Sequence, residues 1–158
     1  MIESPPDTLV YVDTNPIAYA FEGSEELASA LKGLFSLFGR RPGCAVTSEL
    51  TLAEILPKRK VPDREFLDLL IWSKIFDLRP VTRDILIETA KYRRIAGARR
   101  PDGSVAMPKL PDAIHVVTAI RAGCKIFLSS DVRIKLPETI RLVRANTDGI
   151  TQLTQELA

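Results

Sequence analysis

The chain has 158 residues, of which 46% are apolar and 27% charged, and a formal net charge of +2. That is the composition of one soluble globular domain with one core. Cys44 and Cys124 are the only cysteines and His115 the only histidine, so a zinc site built from Cys/His clusters is excluded and any metal must be held by carboxylates. No apolar run reaches the roughly 18–20 residues of a membrane span. Met1-Ile2-Glu3-Ser4-Pro5-Pro6 lacks the basic start and apolar stretch of a signal peptide, so the default expectation is a cytoplasmic protein. The two isolated thiols read as small core residues.

In chain order, Thr8 to Val12 is a short run of β-formers that ends at Asp13, after a loose Pro-rich tail over residues 1–7. Asn15-Pro16 reads as a helix start, with Asn as N-cap and Pro at the first helical position, and this helix runs to about Phe21. A second helix starts near Glu25, where Leu27, Ala30, Leu31, Leu34 and Phe38 recur at helical spacing. Ala45-Val46-Thr47 is a brief strand. Glu49 to Leu56 is a helix stopped by Pro57, and Asp63 to Lys74 is another, with Phe66, Leu69, Leu70 and Trp72 in its apolar surface. Ile75 to Val81 holds a strand, and Arg83 to Ala96 is a longer helix ending near Gly97. Ala98 to Pro111 reads as one long loop. Asp112 to Ala122 is a strongly apolar helix closed by Gly123, Ile126 to Leu128 a strand leading into Ser129-Ser130-Asp131, and Ile140 to Val143 the last strand. Strands alternating with helices predict an α/β sandwich around a mostly parallel sheet, spanning 1–158 as a single domain.

In such sheets ligands bind beyond the carboxyl ends of the strands, and Asp13 and Asp131 each follow a strand. With Asn15 as the better cap, Asp13 has no evident structural task. Asp112 follows Pro111, where an N-cap is the strong structural alternative. Asp131 has a turn residue as its alternative. Glu54 shares a helical face with Leu50 and Ala53 and competes with a capping box from Thr51; Glu49 is a rival acid that periodicity does not separate from it. Four acids at the mouth of one sheet would repel one another, each pair at 4 Å by about 4 kcal/mol in an effective dielectric near 20, unless a cation sat among them. An all-oxygen site suits Mg²⁺ or Mn²⁺.

Taken together, Val10-Tyr11-Val12-Asp13-Thr14-Asn15, Thr47-Ser48 through Ala53-Glu54-Ile55-Leu56, Leu110-Pro111-Asp112-Ala113-Ile114-His115-Val116-Val117-Thr118-Ala119 and Phe127-Leu128-Ser129-Ser130-Asp131 resemble the PIN-domain family, and within it the VapC-type toxins of toxin–antitoxin pairs. The resemblance implies a three-layer α/β/α sandwich with a mostly parallel sheet of about five strands. It implies that Asp13, Glu54, Asp112 and Asp131 form an acidic metal site, which favours Glu54 over Glu49. Ser130 matches the small polar position before the last acid, and Thr14 and Asn15 the polar pair after the first. The implied activity is Mg²⁺- or Mn²⁺-dependent hydrolysis of RNA, with a cognate antitoxin and a homodimer as partners. The long Pro-rich segment before Asp112 departs from the pattern and predicts a different rim. His115, one turn beyond Asp112, reads as a buried histidine with satisfied hydrogen bonds.

Lys91 to Arg100 carries five cations and no acid, and Lys58, Arg59, Lys60 and Arg64 form a second cluster around Asp63. Arg93, Arg94, Arg99, Arg100 and Lys109 are the candidates for phosphate contacts, a solvated face being the alternative. Two other functions stay open: an RNA-processing nuclease without an antitoxin, and a catalytically idle PIN domain that binds RNA or protein. A phosphotransfer receiver or a haloacid-dehalogenase-type phosphatase also places Asp after its first strand. The receiver's upstream acidic pair is missing, and Asn15 stands where the phosphatase has a second Asp.

Overall fold

The computed structural model describes residues 8–58 and 60–158; the N-terminal tail expected over 1–7 and the side chains of Lys58 and Arg59 lie outside the described residues. The elements are β1 (Val10–Val12), α1 (Thr14–Glu22), α2 (Glu25–Gly39), β2 (Ala45–Ser48), α3 (Leu50–Ile55), α4 (Asp63–Leu67), β3 (Phe76–Arg79), α5 (Arg83–Ala96), β4 (Ala98–Arg99), β5 (Val105–Ala106), α6 (Leu110–Ala122), β6 (Ile126–Ser129), β7 (Arg141–Arg144) and α7 (Thr147–Leu157).

Five strands form one sheet in the order β3-β2-β1-β6-β7, and each neighbouring pair is parallel. Side-chain alternation divides its central strands between two cores. Val10, Val12, Ala45, Ile126 and Leu128 pack with α1, α2 and α7 on one face. Tyr11, Val46 and Phe127 point the other way, against Val116 and Ala119 of α6. There the Tyr11 and Phe127 rings stack with centroids 5.0 Å apart. Helix α5 covers α6 through Ile85, Ile114 and Val117. The result is the expected α/β/α sandwich, in which each fully buried large apolar side chain stabilises the fold by about 1.5–3 kcal/mol.

Local chemistry sets the helix ends. Ser24 accepts from Leu27 N–H ahead of α2, whose first turn carries Glu25 and Glu26, and Thr82 accepts from Ile85 N–H ahead of α5. Gly123 closes α6 in the left-handed region at φ 77°, where a side chain is strained.

Several elements differ from expectation. Helix α1 begins at Thr14, with Asp13 and not Asn15 as its N-cap. Helix α6 begins at Leu110 instead of Asp112, because Pro111 falls in its first turn, where a missing N–H breaks no helical bond. Residues 98–111 are no plain loop: β4 and β5 pair as an antiparallel hairpin, with Gly103 at φ 87° in the turn. The helix expected over 63–74 is α4 followed by a π-helical turn, Asp68–Trp72. The wider turn leaves Trp72 67% exposed and outside the core. Helix α7 has no counterpart among the expected elements; it buries Ile150, Leu153 and Leu157. Cys44 and Cys124 are buried, as expected of small core residues.

Candidate active site

All five strands run the same way, so their carboxyl ends share one edge. The chain from β1 turns to β2 on one side, while β6 lies on the other. This reversal opens the crevice where α/β sheets bind ligands. Asp13 follows β1 and Asp131 follows β6, either side of it.

Asp13 is buried and held on both oxygens. Oδ1 accepts from Thr14 N–H at 2.8 Å and Oδ2 from the Ser129 hydroxyl at 2.7 Å. It therefore has the structural task it was expected to lack. Ser129 also accepts from Asp131 N–H at 3.0 Å, which couples the two acids through one hydroxyl. Asp131 is a turn residue too: its Oδ1 accepts from Arg133 N–H at 2.9 Å and faces Arg133 Nε at 3.3 Å. Turn and site are compatible here.

Glu54 projects from α3. Its Oε1 accepts from the Thr14 hydroxyl at 2.8 Å and lies 2.5 Å from His115 Nε2. No capping box forms, since the N-cap of α3 is Glu49 and not Thr51, and it makes no side-chain cap bond. Glu49 is exposed and stands outside the cleft, so the structure separates the two acids. His115, 1% exposed, presents Nδ1 to the Tyr11 hydroxyl at 2.5 Å and lies 3.7 Å from Asp13 Oδ1. A carboxylate only accepts, so Nε2 carries the proton toward Glu54. In the neutral ring Nδ1 then accepts from Tyr11. Burial, and next the charge of Asp13, raise the Tyr11 pKa well above its usual value, which keeps that hydroxyl a donor. His115 is the satisfied buried histidine expected, yet it also joins the acids. Its place one turn beyond Asp112 was the available signal. Nothing in the sequence marked Tyr11 or Ser129, because their partners are distant along the chain.

Asp112 sits in the first turn of α6, past the N-cap position, which belongs to Lys109. Among the described residues its carboxylate makes no hydrogen bond or ion pair. The cap interpretation is thereby removed. Burial raises its pKa first, followed by the charges of Asp13 and Asp131. Burial and neighbouring like charge both disfavour the ionised carboxylate.

Asp13, Glu54, Asp112 and Asp131 line one cavity of about 440 Å³, with Thr14, Asn15 and Lys109 beside them. Asn15 Nδ2 donates to the Ser130 hydroxyl at 3.0 Å across its rim. Among the described residues no three acidic, imidazole or thiol groups close around a single point as a metal cage. The donor set still suits a hard divalent cation, which takes one or two carboxylates and keeps several waters. Arg94, Arg99 and Arg100 are exposed, whereas Arg93 donates from Nε to the Pro108 carbonyl at 2.8 Å.

The family model of the PIN domain matches residues 10–138. The chain belongs to the PIN-domain family. Among solved structures it is similar to the Mycobacterium tuberculosis toxin VapC20, described as cleaving the sarcin-ricin loop. The TM-score is 0.52 and the identity 18%, over 75% of this chain and 86% of that one. At that identity the likeness speaks for the PIN fold. Comparison with curated proteins gives no sequence match. Among the described residues no helix of this PIN domain is long and apolar enough to cross a membrane.

Proposed function

We propose that this PIN domain is a Mg²⁺- or Mn²⁺-dependent endoribonuclease and the toxin of a type II toxin–antitoxin pair. The observation that carries the reading is Asp112, a carboxylate that has no hydrogen-bond partner among the described residues and whose pKa is raised by burial and by Asp13 and Asp131. Asp13, Glu54 and Asp131 are each held by donors of the fold, and Asp112 has none among the described residues, which leaves its oxygens for a cation. Divalent ions in such sites activate water and stabilise charge on the leaving oxygen.

The chain's own groups have distinct parts. Asp112 and Asp131 offer oxygens at the open side of the cleft. Asp13, fixed by Thr14 N–H and Ser129, offers its carboxylate from the closed side. Glu54, oriented by Thr14 and His115, is a ligand or aims the attacking water. Asn15 and Ser130 hold the rim. Lys109 lines the cleft and is placed for a substrate phosphate, while Arg94, Arg99 and Arg100 would add backbone contacts further out.

Two observations support the toxin reading, the PIN-domain match and the structural likeness to VapC20. A neutralising antitoxin, a homodimer and a cytoplasmic setting go with it. Co-expression with the product of an adjacent small gene should relieve growth arrest caused by this chain. A chain that arrests no growth yet trims an RNA precursor would instead be a processing nuclease.

A further inference from the structure

A second cavity, of about 430 Å³, opens beside the acidic cleft and shares Lys109, Asp112 and Asp131 with it. Its chemistry differs. Tyr92, Met107, Val116 and Ile134 give it an apolar lining, and Arg133 and Lys135 join Lys109 around it. Its walls are tied together. The Tyr92 hydroxyl donates to the Lys135 carbonyl at 2.6 Å, and Lys135 Nζ donates to the Ala96 carbonyl at 2.9 Å. These bonds lace the segment after β6 to the end of α5. The Arg93 bond to Pro108 fixes the exit of the β4–β5 hairpin, which contributes Ala106 to the wall. The Lys109 side chain makes no hydrogen bond or ion pair among the described residues, and the residue lines both cavities.

We propose that this cavity is a nucleobase subsite, which takes one unstacked base of a single-stranded RNA whose adjoining phosphodiester lies over the carboxylates. The proposal rests on the ribonuclease reading of the acidic cleft. The volume falls within the usual range of small-ligand pockets. An aromatic ring in an apolar lining matches how proteins hold splayed RNA bases. The cation between lining and acids matches the link between a base and its phosphate, which lie a few bonds apart. An apolar peptide side chain would use the apolar lining alone and leave Lys109 without a counter-charge.

The test is equilibrium binding of a fluorescent RNA hexamer and its abasic counterpart in EDTA, where neither is cut. Repulsion from the bare acids acts equally on both strands and cancels in their ratio. The wild type should bind the base-bearing strand roughly tenfold more tightly, as base stacking in single-strand sites implies. Ala106→Leu, which narrows the cavity, and Tyr92→Leu should bring the ratio toward one. Tyr92→Phe, which keeps the ring and loses only the bond to Lys135, should preserve it. Melting curves confirm that each variant is folded. A wild-type ratio of one, or an unchanged ratio in folded Ala106→Leu and Tyr92→Leu, would overturn the subsite. Cleavage that survives Asp13→Asn would instead overturn the reading beneath it.

Discussion

Asp112 shows how a single residue can decide between structure and function. Its raised pKa means that the folded, metal-free protein holds a proton there more tightly than the unfolded chain does. Ionised Asp112 therefore destabilises the fold near neutral pH. Stability recovers as pH falls through the raised pKa toward the ordinary carboxylate value. Asp112→Asn should raise the metal-free melting temperature at pH 7, flatten this pH dependence, and weaken Mn²⁺ binding. An unchanged melting profile together with unchanged Mn²⁺ affinity would show that the crowding is not felt. Asp13 needs a different substitution, because it also caps α1. Asp13→Ala should lose about 1 kcal/mol of stability along with activity, whereas Asp13→Asn keeps an acceptor for Thr14 N–H and removes the charge, with an amide donor in place of the oxygen that faced the Ser129 hydroxyl. Thermal melts beside cleavage assays separate the two effects. The four acids were legible in the sequence through their positions and the family resemblance. The Tyr11–His115–Glu54 chain was not, because those residues meet only after β1, α3 and α6 have folded together.

At the scale of elements, the five strands of the main sheet and helix α2 were legible from residue patterning, and α5 spans Arg83–Ala96 as expected. The differences cluster where one residue type carries two meanings. Pro111 suits the position before a helix, but it sits inside the first turn. The glycine and prolines of 98–111 suit a loop, but two short strands pair there. Helix α7 joins its Asn146 cap to β7 at a tight corner: a Cβ on Gly149 would lie 2.1 Å from the Arg144 carbonyl oxygen. Both atoms belong to the backbone framework, so neither side can swing aside. Gly149→Ala should destabilise the protein by roughly 1–3 kcal/mol, readable as a lower urea midpoint. A midpoint equal to wild type would mean that α7 shifts freely on β7.

Across the whole molecule, a sheet of parallel strands gathers acids from β1, α3, α6 and β6 at one edge, while cations stand outside them on α5 and the hairpin. If Arg94, Arg99 and Arg100 meet RNA phosphates, replacing all three with Gln should flatten the slope of log K against log salt, by about 0.7 for each single-strand phosphate that is no longer neutralised. An equal slope would leave these arginines as a solvated face. Whether the four carboxylates form a cation-dependent phosphodiesterase centre is decided by cleavage of a structured RNA panel with wild type and Asp13→Asn, each in Mg²⁺ and in excess EDTA. Cutting is expected from the wild type in Mg²⁺ and in no other combination; wild-type turnover in excess EDTA, or equal cutting by folded Asp13→Asn in Mg²⁺, would contradict such a centre.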